Sequence, residues 1–513
     1  MNFAKAIATI GGWTVLSRIT GLMREMLVAH YLGAGTIADA FFVSFRFPNM
    51  FRALFAEGAF NAAFVPLFAG KLEGEGREAA RRFAEDCFAV LAVALVGVIA
   101  LMEIAMPWGI YVLAAGFDDV PGKLALATEF SRITFPYLLF ISLVSLQSGV
   151  LNGLGRFAAA AGTPVLLNLT SMAVLVALAP YLETAGHAMA WGVFASGVAQ
   201  FSWLVFSVRK AGMGLTLVRP RLTPEVRQML RRVVPGAVGA GVYQVNLLIN
   251  TMIASQVANG AVSYLNYADR VNQLPLGVVG IAIGTALLPL LSRQLRSGDT
   301  GAAMESQNRA MEFGLLLTLP AAFAFVAIAH PIIAVLFERG SFSAADTDAV
   351  TPALEAFALG LPAYVLVKVL TPGFFARHDT RTPVRVAMLT MLVNVGLNLA
   401  LMRPLAHVGM ALSTAVAAWL NVALLATILF RRGHFSLDRR LLDRGWRIVA
   451  ACLAMAATLG GAARLLAPAL SSHGWRLPAL AALVVAGLVV YALAAVLIGA
   501  ARPAEMKALL RRR

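Results

Sequence analysis

Long apolar stretches alternate with short, arginine-rich polar breaks along the whole chain. Dividing it at charge clusters, Gly/Pro turns and polar loops leaves apolar segments near 8–33, 37–68, 83–107, 125–152, 158–180, 187–208, 229–258, 262–291, 306–337, 352–375, 384–402, 407–430, 446–468 and 478–500. A membrane-crossing helix needs about 20 mostly apolar residues, so each segment predicts one span. The pattern therefore predicts an all-α polytopic membrane protein of fourteen transmembrane helices. Internal Pro and Gly do not disqualify a segment, because neighbouring groups re-satisfy the freed backbone. Composition agrees: 59% of the 513 residues are hydrophobic and 13% charged, with a mean hydropathy of +0.78, outside the balance of a soluble domain. The opening MNFAKAIATI has one lysine and no small-residue cleavage site, so the first segment reads as a retained span rather than a removed leader.

The polar breaks are strongly biased. If the N-terminus is cytoplasmic, inside-facing connections and tails carry 29 Lys and Arg, including Arg77, Arg209, Arg227 and Arg439. The opposite face carries four, Lys123, Arg339, Arg403 and Arg476. The positive-inside rule then places both termini in the cytoplasm. This bias also accounts for the net charge of +16; basic residues scattered over short loops do not form a nucleic-acid surface. Cys87 and Cys452 stand far apart without C-x-x-C spacing, which excludes a disulfide framework and a cysteine metal site.

The pattern also repeats. TFPYLLFISL (134–143) followed by TPVLLN (163–168) is echoed by GLPAYVLVKVL (360–370) followed by TPVRVA (382–387). Matched pairs Pro66/Pro289, Pro136/Pro362, Pro164/Pro383 and Arg209/Arg431 lie 223, 226, 219 and 222 residues apart. Such a register predicts two six-helix lobes, 1–218 and 219–432, related by a pseudo-twofold along the membrane normal. Residues 433–513 add two further C-terminal helices after a basic connection, RRGHFSLDRRLLDRGWR, suited to an anionic leaflet. Transporters built from repeats bind substrate between the halves and rock one against the other.

Nine basic residues remain inside or near the ends of apolar segments: Arg18, Arg24, Arg46, Arg52, Arg132, Arg270, Arg309, Lys368 and Arg464. A charge at the bilayer centre costs at least ~2.5–3.5 kcal/mol and usually faces a bundle interior or water. Arg132, Arg309 and Arg464 can reach the interface by snorkelling. Arg18 and Arg24, in SRITGLMR, lie too deep for that, and sit about 120° apart on an ideal helix. In ADAFFVSFRFPNMFRALFAEGAF (38–60), Asp39, Arg46 and Glu57 share one face of a continuous helix, Pro48 predicts a kink, and Asn49 and Arg52 are neighbours three apart. Asp39 can serve the cavity or act as a structural counter-ion; Glu57 and Arg46 read as gating or structural groups. The eighth span carries adjacent Asp269 and Arg270, and Arg270 falls within a residue of the repeat counterpart of Arg46. Arg18, Arg24, Arg52 and Arg270 are the best-placed cavity cations. Guanidinium stays charged and binds phosphate bidentately, so the expected substrate is an anion bearing phosphate or diphosphate.

At SRITGLMREMLVAHYLGAGTIADAFFVSFRFPNMFRALFAEGAFNAAFVPLF the chain closely resembles the opening of the MurJ/MviN family. The resemblance continues through SYLNYADRVNQLPLGVVGIAIGTALLPLLS and KVLTPGFFARHDTRTPVRVA to the fourteenth span. It implies membership of the multidrug/oligosaccharidyl-lipid/polysaccharide exporter superfamily. It also implies the function of flipping lipid II, the undecaprenyl-diphosphate-linked peptidoglycan precursor, across the bacterial inner membrane. The resemblance assigns Arg18, Arg24, Arg52 and Arg270 to the family's cavity arginines. It places Ser17, Asp39, Asn49 and Glu57 near the cavity or its gate, and the last two spans at a groove for the lipid tail. Asn250, Asn394, Asn398 and Thr414 are similar to a sodium site in members that carry aspartates there. Here the cluster lacks a carboxylate, which a hard cation prefers, so sodium coupling is disfavoured and coupling to membrane potential is the alternative. No cofactor is expected.

Other function classes fit less well. No Walker A, H-E-x-x-H or contextual G-x-S-x-G motif points to an enzyme, and the seven histidines are scattered. A multidrug antiporter would carry acidic rather than cationic cavity residues, whereas a polysaccharide-lipid flippase could use the same diphosphate chemistry. A non-transporting envelope scaffold would not need the arginines. The expected partners are lipid II and membrane lipids, without nucleic acid, and the expected state is a monomer.

Overall fold

The computed structural model describes residues 3–53, 59–472 and 474–501, and among them it is helical without strands. The helices run in order α1 (Phe3–Leu32), α2 (Thr36–Ser44), α3 (Arg46–Arg52), α4 (Ala59–Gly74), α5 (Arg77–Leu113), α6 (Lys123–Thr134), α7 (Tyr137–Gly153), α8 (Ala158–Leu178) and α9 (Ala185–Lys210). They continue with α10 (Pro224–Ser255), α11 (Ala261–Arg296), α12 (Thr300–Phe337), α13 (Ala344–Phe375), α14 (Arg381–Arg431), α15 (Arg439–Leu465), α16 (Ala467–Ser471) and α17 (Arg476–Leu497). Among the described residues nine helical stretches are long and apolar enough to cross a membrane. The fourteen-span reading fits the helix order once kinked helices are joined and α14 is divided at Ala406, whose φ of 49° breaks its helical path.

Helices alone satisfy all their backbone groups within one segment, which is why hydrocarbon selects them. Where proline removes a bond, another group takes it over. Pro48 has no N–H to offer the carbonyl of Ser44, and the Thr134 hydroxyl donates to that carbonyl instead at 3.4 Å. The break between α2 and α3 accordingly falls at Phe45, ahead of the proline itself.

Packing divides the chain into two units. The first comprises Met1–Ser263 with Arg339–Phe342. In it α1 packs on α8, α8 and α7 on α9, α4 on α7, α2 on α6, and α10 on α4 and α5. Two glycines permit its closest approaches. A Cβ at Gly116 would lie 2.3 Å from the Ser255 carbonyl oxygen, and one at Gly340, where φ is +62°, 2.4 Å from that of His30. Ser341 follows by donating its N–H to His30 at 2.8 Å.

The second unit comprises Tyr264–Glu338 and Ser343–Arg513. There α13 packs between α12 and α14, and the hairpin of α15 and α17 lies against α12. Its apolar core joins Leu287, Met311, Val369, Phe374, Leu425 and Leu441. The turn before α14 is polar: Asp379 accepts hydrogen bonds from the Thr382 hydroxyl at 2.6 Å, the Thr382 N–H at 2.9 Å and Arg432 at 2.7 Å.

Those bonds, the Thr382 hydroxyl first and the Arg432 guanidinium next, hold the Asp379 carboxyl far below the usual carboxylate range. A depressed folded-state value stabilises the fold above the unfolded value, near pH 3.9, and that contribution is lost as pH falls further. Melting curves in detergent should therefore show stability declining below about pH 4, with a shallower decline in Asp379→Asn than in the unaltered protein.

Candidate functional site

Three buried contacts set the rotation of α1. The Asn168 side chain on α8 donates to the Ser17 carbonyl at 3.2 Å and to the Thr20 hydroxyl at 3.1 Å. Gly21 also faces this amide, and a Cβ there would stand at ordinary contact distance, 3.5 Å, from its nitrogen. Thr20 thus marks the face turned to α8. Arg18, two residues earlier, points about 200° away on an ideal helix. It is exposed and makes no hydrogen bond or ion pair among the described residues. Arg24 lies one turn beyond Thr20, on the packed side, and donates to Glu25 at 2.7 Å. Its side chain is only 13% exposed, and its Nε is buried without a hydrogen-bond partner. The two arginines therefore occupy different surroundings.

On α3, Asn49 and Arg52 meet as their spacing predicts: Nε and Nη2 of Arg52 donate to Asn49 Oδ1 at 3.0 and 2.8 Å. Arg52 also lines an open cavity of about 390 Å³ in the first unit, while Arg46 is half-buried. Glu57 lies outside the described residues.

Asp39 has a different setting from its fellow candidates. It is fully buried. Its Oδ2 accepts from Lys123 Nζ at 2.7 Å and the Gly260 N–H at 2.8 Å. Its Oδ1 accepts from the Ser263 N–H at 2.7 Å and hydroxyl at 2.6 Å. Lys123 also donates to Asn259 at 2.8 Å and lies 4.1 Å from the centroid of the Phe117 ring. Four donors on a carboxylate without solvent access leave nothing for a ligand. Of the two roles the sequence left open for Asp39, these contacts are those of the counter-ion: it ties α2, α6 and the α10–α11 turn together.

In the second unit, Arg270 is half-buried on α11 beside buried Tyr267 and Ala268, and Asp269 accepts from Gln273 one turn on. Asn394 and Asn398 are buried neighbours on α14, joined by an amide–amide bond of 3.4 Å. The Thr414 hydroxyl donates to the Met410 carbonyl of its own helix at 2.9 Å. Asn250 is half-buried on α10, in the first unit.

One cluster escaped the sequence reading. Glu312 on α12, mostly buried, accepts from Arg309, Arg440 at 3.3 Å and Arg444. Asp438, which caps α15 through the Leu441 N–H at 2.7 Å, also accepts from Arg309. Arg309 is thus ion-paired, a correction to the snorkelling expectation. The signal was its spacing of three from Glu312, which puts both on one helix face.

Comparison with known proteins adds the family context. The profile of the family described as "Lipid II flippase MurJ" matches residues 28–486. A Rhizobium meliloti (strain 1021) protein described as "Probable lipid II flippase MurJ" is 47% identical over 509 residues, covering 98% of this chain and 95% of its own. A solved structure described as "Lipid II flippase MurJ, inward closed conformation" matches with a TM-score of 0.78 and 25% identity, over 95% of this chain and 97% of that one. An inward-facing multidrug resistance MATE transporter of the MOP superfamily shares the fold at a TM-score of 0.69 and 16% identity, over 81% of this chain and 94% of that one.

The Asp39 pair carries its own test. Removing one partner of a buried ion pair costs about 3–5 kcal/mol, because the other charge is stranded. Asp39→Asn should lower the melting temperature markedly, and adding Lys123→Met should recover part of the loss. An unchanged melting temperature in the single variant would remove the structural assignment.

Proposed function

Since the chain belongs to the MurJ family of lipid II flippases, and is itself a multi-pass lipid II flippase, we propose that Arg18, Arg24, Arg52 and Arg270 grip the diphosphate of lipid II during its passage. The observation that carries this reading is Arg18: a permanent cation midway along an apolar helix, exposed and without a hydrogen-bond or ion-pair partner among the described residues. Such a group is stable only against water or an anion. Arg24 and Arg52 support the reading in a graded way. Each is held by a neighbouring side chain, Glu25 or Asn49, which orients the guanidinium. Asn49 positions Arg52, Ser17 adds a hydroxyl next to Arg18 in the chain, and Arg46 and Asp269 set the charge around them.

Diphosphate carries its charge on outward oxygens that guanidinium forks match bidentately. Several arginines replace the hydration shell as the headgroup leaves water, so that its charge never meets hydrocarbon. The two duplicated lobes, 1–218 and 219–432, alternate access around this site, and the polyprenyl tail follows the apolar outer faces of α15 and α17. Exposed Leu453, Val485, Leu488 and Leu493 supply that surface. The loop charge bias supports an inner-membrane orientation with both termini cytoplasmic. Net charge moving across the membrane couples the cycle to its potential, at about 2.3 kcal/mol per charge per 100 mV.

Arg18→Ala, Arg24→Ala and Arg270→Ala, each inserted at normal levels in cells depleted of the native protein, should fail to sustain growth. Lipid II should remain protected on the inner leaflet, with translocation reduced at least about tenfold, the loss of one charge-assisted hydrogen bond of roughly 1.5–3 kcal/mol. Growth at the normal rate, or accumulation of a different polyprenyl sugar while lipid II still crosses, would overturn the proposal.

A further inference from the structure

The first unit carries an open cavity of about 390 Å³ lined in part by Arg52, in the size range of small-molecule sites. One face of α7 forms a wall: Ile141, Ser145, Ser148 and Asn152 recur at spacings of three and four and all line it, as one helical stripe must. The start of α8, preceded by Phe157, supplies Ala160, Ala161, Pro164 and Leu167 to the lining. Pro164 cannot donate to the Ala160 carbonyl, so the Thr163 hydroxyl does, at 2.8 Å. Gln200 on α9 closes the inner end by donating to the Thr163 carbonyl at 2.8 Å while accepting from the Tyr137 hydroxyl at 3.4 Å.

The lining chemistry is selective. Among the described residues Arg52 is the one charged group in the lining, and none of them is a carboxylate. Ser148 and Asn152 are half-buried and make no side-chain hydrogen bond among the described residues. Between them they offer a hydroxyl, an amide N–H pair and an amide oxygen. Neutral donors and acceptors among apolar carbons and rings, together with a guanidinium, match a neutral polyhydroxyl ring joined to a phosphate. An acyl chain would leave the polar wall unpaired, and a second anion would find a single cation already shared with Asn49.

We infer that this cavity is a saccharide subsite, holding the sugar ring next to the diphosphate through Ser148 and Asn152 while Arg52 holds the phosphate. The inference rests on the lipid II reading above and deepens it by giving the headgroup's sugar a place of its own. In this arrangement Arg52 supplies affinity for any polyprenyl diphosphate, and the α7 stripe separates sugar-bearing from sugar-free forms. A site built to hydrogen-bond a substrate discriminates against the analogue lacking those groups, because its polar atoms are then left unpaired.

The test compares two ligands on the purified full-length protein by native mass spectrometry: lipid II, and undecaprenyl diphosphate without sugar. Ser148→Ala combined with Asn152→Ala should weaken lipid II binding about tenfold, the scale of two lost hydrogen bonds, and leave undecaprenyl diphosphate binding unchanged. Ala161→Phe, which fills the same cavity, should repeat that selectivity through a different chemistry, whereas Arg52→Ala should weaken both ligands. Unchanged lipid II binding in both cavity variants, or equal loss for both ligands, overturns the subsite. A native protein that binds undecaprenyl diphosphate but not lipid II instead overturns the underlying reading.

Discussion

Placing a charge away from water costs several kcal/mol unless partners replace its hydration, and this constraint sorts the polar residues of the protein into two kinds. Asp39 with Lys123 and Glu312 with its three arginines are saturated by protein groups. They are joints: each draws together segments distant in sequence, and a buried ion pair suits that role because a missing partner is so unfavourable. Arg18 has no such saturation among the described residues, while Glu25 holds Arg24 and Asn49 is among the groups that hold Arg52. A charge left open inside an apolar bundle has a meaning only if something of opposite sign, or water, comes to meet it.

The constraint also explains what the sequence made legible. Apolar runs located the spans, because hydrocarbon penalises every unsatisfied backbone group alike. Their ends moved outward where basic and polar residues continue a helix past the apolar run. Thus α5 starts at Arg77 rather than 83, α10 at Pro224 rather than 229, and α12 at Thr300 rather than 306. The kink foreseen at Pro48 appears at Phe45 because the lost bond belongs to the carbonyl four residues back.

Side-chain partners were less visible. Asp39 finds its donors 84 to 224 residues away, a distance at which no local periodicity carries information. The cavity walled by α7 and α8 was hidden for the same reason. Its polar residues look like ordinary scattered Ser and Asn until the helices are assembled. By contrast, Asn49 with Arg52 and Arg309 with Glu312 are contacts within one turn, and their spacing alone announces them.

The hairpin of α15 and α17 is fastened along α12, and Arg476 donates to the Glu338 carbonyl at 3.1 Å just past its C-terminal end. Arg444 and Arg440 reach Glu312 near one end, and the Tyr491 hydroxyl donates to the Leu316 carbonyl at 2.7 Å further along. A hairpin moored to a single helix is a passenger on that helix. What it requires of the rest of the second unit is a row of polar partners along that one helix and the turn that ends it.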